Sequence, residues 1–198
     1  GSILKPEDHA KALSDPSKEY ILNSAGKAIL GCVLKILDDS GNEVPVGTMG
    51  EICIRTKTTV EKYWNKPEET AETFKAGWFH TGDMGRIDEE GYMYILDRKK
   101  DIIVSGAENI STREVENVIY THPAVQECAV IGVPSEKWGE EVKAIVVPRQ
   151  GIAVTPEEII EYCRDKMAGF KRPKSVELWE KLPKNPTGKI LKKEIRAK

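Results

Sequence analysis

Residues 97–111 read DRKKDIIVSGAENIS. Five consecutive charged residues, Asp97 to Asp101, stand directly before a short apolar strand-like run, Ile102 to Val104. SGAEN (105–109) then makes a turn that leads to a helix start at Ser111. Two readings fit so much charge at the mouth of a buried strand. One is a solvated linker between domains; the other is a hinge whose charges act on a ligand. Both place a boundary inside DRKKD, so the two sides are read separately.

Upstream, residues 1 to about 27 lack apolar alternation and read as loop. From Ala28 the pattern becomes strand-like: CVLKIL, the turn DDSGN, EVPVG, then EICIRT. Such strands joined by Gly- and Asn-rich turns predict a small antiparallel β subdomain. A short helix is expected over 67–74, with Pro67 in its first turn. GRIDEEGYMYIL is expected to be a hairpin that turns at Asp88 to Gly91.

Downstream the rhythm changes. Ser111 opens a capping box in which Glu114 is expected to reach back, and Val115, Val118 and Ile119 mark one helical face. AVQECAVIGV and EVKAIVVP are β-branched strand sequences. Thr155 and Glu158 form a second capping box around Pro156, with Ile159, Ile160, Cys163 and Met167 on the helix's inner face. SVELWE reads as a strand. The fold class is therefore α+β: the β subdomain is followed by a compact β-α-β-β-α-β domain. The expected division is 1–97 and 98–198.

The bulk composition narrows the function classes. At 39% hydrophobic and 31% charged, the 198 residues are those of a globular chain able to bury a core. No apolar run reaches transmembrane length and no signal peptide is visible, which gives a cytoplasmic expectation. Cys32, Cys53, Cys128 and Cys163 are scattered without a CxxC and read as buried thiols of a reducing compartment. His9, His80 and His122 lack clustered partners, so no metal ligand is assigned. From Ala168 onward ten Lys or Arg face three Glu, a net of +7, which leaves −9 for the rest of a chain whose formal charge is −2. That basic tail suits a polyanion such as the phosphates of a small ligand. Without a nucleic-acid-reading motif beside it, no nucleic-acid partner is expected.

Three local patterns carry possible chemistry. KNPTGKIL (184–191) is not a Walker phosphate loop, because Pro183 replaces the required Gly and Ile190 the required Ser or Thr. It still holds Lys189 out on a narrow turn ahead of a basic helix. Taken alone, an ordinary exposed turn lysine is the better reading. In GWFHTGDMG, Asp83 sits beside a Gly-permitted turn, where a double acceptor suits the paired hydroxyls of a ribose. A turn Asp capping its own backbone is the bland alternative and, alone, the better one. In the opening stretch Arg98 could make a forked contact, and the small residues of SGAEN permit close backbone approach by a ligand. That loop could equally do no more than turn a strand into a helix.

Together and in this order the three patterns resemble one family. TGD, then GYMYILDRKKDIIVSGAENIS, then PTGK resemble the later signature motifs of the adenylate-forming superfamily. It comprises acyl-CoA synthetases, peptide-synthetase adenylation domains and beetle luciferases. YWNKPEETAETF, GWFHTGD and FKRPKSVE are most similar to fatty-acyl- and aryl-CoA synthetases. The resemblance runs from about Ala28 to the end.

What the resemblance implies can be placed by residue. Asp83 and Arg98 match positions that meet the ribose of ATP, and Lys100 matches the hinge. Ser105, Gly106, Ala107 and Glu108 match the loop lining the pantetheine tunnel of CoA. Phe170 and Arg172 are similar to residues that meet the CoA nucleotide. Lys189 matches the lysine that stabilises charge during adenylation. ATP, Mg²⁺ and CoA are implied as ligands, with a carboxylic acid, a fatty acid foremost, as substrate. Where the family often has Gly-Gly this chain has Gly106-Ala107, whose added methyl could narrow the tunnel. The family's earlier phosphate loop and YGxTE stretch are not in the sequence, and the acyl pocket lies mainly with them. The resemblance thus implies the C-terminal portion of an AMP-forming acid–thiol ligase, inactive alone, whose partner is the N-terminal domain of the same chain. A carrier-loading adenylation domain and a non-catalytic interaction module remain the alternatives.

Overall fold

The computed structural model describes residues 1–198 and divides into two compact units, Gly1–Lys100 and Asp101–Lys198. No helix is long and apolar enough to cross a membrane.

The first unit opens with β1 (Ser2–Ile3), α1 (Pro6–Ser14), a 3₁₀ helix (Pro16–Asn23) and β2 (Lys27–Ala28), with β1 and β2 antiparallel. The expected loop is thus largely helical. Pro6 occupies the first helical turn and the Asp8 carboxylate accepts from Lys5 N–H at 2.9 Å. Asp15 then accepts from Ser17 N–H at 3.0 Å and starts the second helix. Only Ala12 and Ile21 are buried in these helices, which is too few to show a helical period in the sequence. They pack against Tyr92 and Tyr94. The Tyr92 hydroxyl also donates to Asp8 at 2.7 Å.

The main sheet of this unit holds β3 (Cys32–Leu37), β4 (Gly50–Thr56), β5 (Phe74–Lys75), β6 (Trp78–Ile87) and β7 (Met93–Arg98), with α2 (Pro67–Thr73) as the expected helix. All pairings are antiparallel, and β6 is central, paired with β4, β5 and β7. The β6–β7 hairpin turns where expected, with Gly91 N–H on Asp88 C=O. EVPVG forms no strand and contributes one bridge, Leu37 to Glu43. Thr81-Gly82-Asp83 is not a turn either: β6 runs through it. Gly82 has φ +70°, and the ladder to β4 shifts register between Glu51 and Cys53, which marks a bulge.

The second unit holds β8 (Ile103–Ser105), β9 (Glu108–Ile110), α3 (Thr112–Tyr120), β10 (Val125–Ser135), β11 (Gly139–Pro148), α4 (Pro156–Tyr162), β12 (Ser175–Leu178) and α5 (Lys192–Arg196). The expected first strand is the first arm of a hairpin folded at Gly106, and the rest of the order is as expected. β10 and β11 form the long antiparallel centre, and β12 lies parallel to β11. Their near-continuous apolar sequence reflects burial on both faces. Val130, Val142, Ala144 and Val146 pack with Val115, Ile119 and Ile159 of the helices. Ala129, Ile131, Ile145 and Val147 face the opposite way, onto Leu182 and Ile195.

The Thr155–Glu158 capping box is complete, with bonds of 3.2 and 2.8 Å. At α3 only the first half of the expected box forms. Ser111 Oγ accepts from Glu114 N–H at 3.3 Å, while the Glu114 carboxylate pairs with Lys171 at 2.6 Å. An ammonium is the stronger partner for a carboxylate than a backbone N–H.

Ile119 is fully buried between α3 and the sheet, whereas Val118 is only partly covered. Ile119→Ala should cost about 2–5 kcal/mol. Val118→Ala should cost clearly less. Urea denaturation of the two variants checks the order, and equal losses would contradict the packing described.

Candidate active site

In the first unit, β6 and β7 place Asp83 directly across from Arg98. Arg98 Nε donates to Asp83 Oδ1 at 2.9 Å, and the carboxylate remains partly open to solvent. The Asp83 side chain therefore pairs with an arginine rather than capping its own turn. Thr81 Oγ donates to Ile52 C=O at 2.8 Å and accepts from Asp83 N–H at 3.1 Å, so its side chain fixes the bulge from which Asp83 projects. A carboxylate with lone pairs beyond the one Arg98 uses can accept from a vicinal diol.

Beneath this pair lies Glu51, its side chain only 10% exposed. Its Oε1 accepts from Gly82 N–H at 3.1 Å. Its Oε2 lies 3.2 Å from His80 Nδ1 and accepts from Lys99 Nζ at 3.1 Å. Burial alone would raise its pKa, but His80, Lys99 and Gly82 N–H together outweigh that and hold the carboxyl below its usual 4.5. Lys99 Nζ also lies 2.8 Å from Asp39.

Glu51, Cys53 and His80 place one ligand atom each within 4.8 Å of one another, yet they suit a metal poorly. Burial, then the Glu51 charge, pushes the Cys53 thiol up to about 12. The Lys99 ammonium already serves the carboxylate. Mg²⁺ in particular prefers an all-oxygen shell.

In the second unit, Lys189 projects into solvent from a loop that Asn185 builds. Asn185 Oδ1 accepts from Thr187 N–H (3.1 Å), Thr187 Oγ (2.8 Å) and Lys189 N–H (2.8 Å). Asn185 N–H returns to Lys189 C=O at 2.9 Å, and Gly188 takes φ +85°. Just beyond, Lys192 Nζ reaches Glu116 at 2.7 Å and Thr112 Oγ at 2.5 Å, while Glu116 also accepts from Val130 N–H at 2.8 Å. The five-residue α5 could not persist alone. These contacts and buried Ile195 hold it, and with it the base of the Lys189 loop.

The same unit carries a groove of about 340 Å³ lined by Ser105, Gly106, Ala107 and Glu108 with Trp138 and Phe170. Gly106 has φ +64° and donates its N–H to Trp138 C=O at 2.7 Å, and a Cβ there would stand 3.3 Å from the Trp138 ring. Trp138 (46% exposed) and Phe170 (41%) bring two partly exposed aromatic rings to the groove, with Lys137 Nζ 4.8 Å from one centroid and Lys171 Nζ 5.7 Å from the other. The structure thus gathers five of the expected CoA-site residues. Arg172 is not among the groove's lining; it donates Nε–H to Met167 C=O at 3.4 Å. Lys100 lies in a 3₁₀ turn (Lys99–Asp101), and the boundary between the units follows it.

Sequence reasoning missed Glu51, Asn185 and Trp138. Trp138 alone gave a signal: an aromatic residue before a glycine within the polar run SEKWGEE.

Known proteins resemble this chain in sequence and fold. Residues 9–64 match the AMP-binding enzyme family and residues 114–189 the AMP-binding enzyme C-terminal domain. The chain is 45% identical to a feruloyl-CoA synthase from an Amycolatopsis species, over 89% of this chain and 36% of the relative. It is 48% identical to the long-chain-fatty-acid–CoA ligase FadD13 of Mycobacterium tuberculosis, over 87% and 34%. Among solved structures it superposes on o-succinylbenzoate CoA synthetase (MenE) from Bacillus subtilis, held with its acyl-adenylate intermediate. That match has TM-score 0.85 and 34% identity and covers 98% of this chain and 38% of the other. The two family matches fall one in each of the two compact units. The chain belongs to the adenylate-forming superfamily of AMP-binding enzymes, and it spans about a third of the length of the curated relatives it matches.

Since the folded Glu51 carboxyl is held low, its contribution to stability is full above the unfolded value of 4.5 and is lost as pH falls through the folded value. Glu51→Gln should therefore destabilise by about 1.5–3 kcal/mol at pH 7. The gap from wild type should close as the pH is lowered below 4.5. Unfolding free energies measured from pH 7 to pH 3 test this; a constant gap would refute it.

Proposed function

We propose that this chain is the C-terminal part of a cytoplasmic ATP-dependent acyl-CoA synthetase, which converts a carboxylate, ATP and CoA to acyl-CoA, AMP and pyrophosphate through an acyl-adenylate. A fatty acid is our reading of the carboxylate, supported by the 48% identity to FadD13. The relatives' greater length supports an N-terminal domain that supplies the phosphate loop and the acyl pocket. The cytoplasmic location rests on the cysteines, which are free thiols, three of them buried.

One observation carries the reading. The Asp83–Arg98 pair and the Lys189 loop belong to different compact units, each held by its own contacts and joined at Lys100. A two-step enzyme can use that division. In the first step a carboxylate oxygen attacks the α-phosphorus and pyrophosphate leaves, with Asp83 and Arg98 orienting the ribose. Negative charge gathers on the phosphate oxygens, and Lys189 compensates it. Mg²⁺, when bound, neutralises the phosphates of ATP. In the second step the CoA thiolate attacks the acyl carbon and AMP leaves. The groove beside Gly106 takes the pantetheine arm, and Trp138 and Phe170 offer faces to the adenine. Domain movement about Lys100 presents the lysine loop in one step and the groove in the other.

Single-turnover kinetics of each half-reaction in the full-length enzyme test these assignments. Lys189→Ala should slow adenylation by about 10²–10³-fold. Thioester formation from supplied acyl-adenylate should be largely spared, and equal losses in both steps would sink the assignment. Trp138→Ala should do the reverse, raising the KM for CoA by about tenfold, the lower end for one stacked base. An unchanged KM would remove the groove from the CoA path.

A further inference from the structure

The bonds that join the two units are bracketed by ion pairs, one in each unit. On the near side Lys99 is tied to Asp39 and to buried Glu51, 48 residues back in sequence. Glu51 is itself fixed by Gly82 N–H and His80. On the far side Asp101 Oδ1 accepts from Arg196 Nη2 at 2.8 Å, across 95 residues, and the Asp101 side chain is only 13% exposed. Arg196 ends α5, the helix that Lys192–Glu116 and Ile195 hold and that follows directly on the Lys189 loop. The residue before Lys100 is therefore pinned to the sheet of one unit, and the residue after it to the C-terminal helix of the other.

We infer that Glu51 with Lys99, and Asp101 with Arg196, are positioning residues that confine the change of pose to the backbone bonds between the Cα atoms of Lys99 and Asp101. The inference rests on the two-pose reading above and specifies how it is built. Slack in a joint spreads rotation over neighbouring residues, and the moving group then arrives with poor aim. Anchoring Asp101 to α5 removes that slack where it matters, because α5 also carries the base of the catalytic lysine loop. Rotation at residue 100 then moves Lys189 as part of one rigid body. The pairs also account for most of the DRKKD charges, since Arg98 serves Asp83, Lys99 serves Glu51 and Asp39, and Asp101 serves Arg196.

Two measurements test this. In the 198-residue chain, backbone ¹⁵N order parameters at Lys99 and Asp101 should sit near the rigid value of about 0.85. Lys99→Gln should lower the first, and Arg196→Gln the second, toward about 0.6. Wild-type values already at the flexible level, or values unmoved by the variants, overturn the inference. In the full-length enzyme, Lys100→Pro restrains the backbone bond at the joint. It should slow thioester formation about 10²-fold relative to adenylation, as expected when reacting groups miss their alignment. Adding Lys99→Gln and Arg196→Gln lets neighbouring bonds share the rotation and should recover about tenfold of that loss, the scale of two partly exposed ion pairs. A merely stabilising role for the pairs predicts further loss instead. If Lys100→Pro acts selectively but the added variants recover nothing, the bracket is wrong and the hinge stands. If Lys100→Pro slows both steps alike with thermal unfolding unchanged, the hinge reading falls and the bracket with it.

Discussion

A carboxylate out of water must be fully partnered or it destabilises the fold, and the first unit is arranged around that requirement at Glu51. Its three partners come from three places: Gly82 in the bulge of β6, His80 on the same strand, and Lys99 just past β7. Each satisfies the charge, and each is fixed in return. The bulge is what turns Asp83 toward Arg98, so the direction of the proposed ribose-binding carboxylate follows from the solvation of a residue 32 positions earlier in the sequence. Lys99 carries the same constraint to the edge of the unit.

The second unit reaches its site by another route. A two-faced apolar pair of strands needs cover on both sides, and α3 and α4 cover one face. The other face is covered by Leu182 and Ile195, from the segments that flank the Lys189 loop. Burial thus anchors both stems of a loop whose tip is polar and open. Asn185 supplies inside the loop what a sheet ladder would supply elsewhere, three hydrogen bonds to one amide oxygen. An exposed lysine can be preorganised in this way without being buried.

What could be read from the sequence follows the same division. β10, β11 and α4 were legible because β-branched runs and a Thr-x-x-Glu box are local signals, and the packing agrees with them. The helices of residues 6–23 were not, since Ala12 and Ile21 are their only buried residues. TGD read as a turn because Gly82 has the turn-forming φ, but the bulge that uses it depends on β4, a strand distant in sequence. The single strand expected at 102–104 became a hairpin because Gly106 N–H bonds to Trp138 C=O, a partner no local pattern names. Asp83, Lys189 and the SGAEN loop are proposed as site residues from their types and order. Glu51 is not among them, because a lone Glu in EICIRT looks like any strand-edge charge until its three partners are seen.

The two ways of holding charge suit the two sides of the proposed reaction. In the proposed reaction Asp83 keeps one orientation through both steps, holding the ribose while the acyl-adenylate forms and is consumed. A carboxylate paired across a sheet, above a buried and neutralised Glu51, is a stiff support for that. On the same proposal Lys189 serves the first step and leaves for the second. In its own unit the loop is held by Asn185 and by stems buried at Leu182 and Ile195, and none of those ties has to break when the unit turns. Only at residues 99–101 do the two demands meet. There a hydrophobic contact would favour whichever pose buried it, and an ion pair bridging the units would have to be broken at every turnover. Pairs that each stay within one unit avoid both costs. On that proposal Arg98, Lys99 and Asp101 stand against the start of a buried strand because each is paired within its own unit.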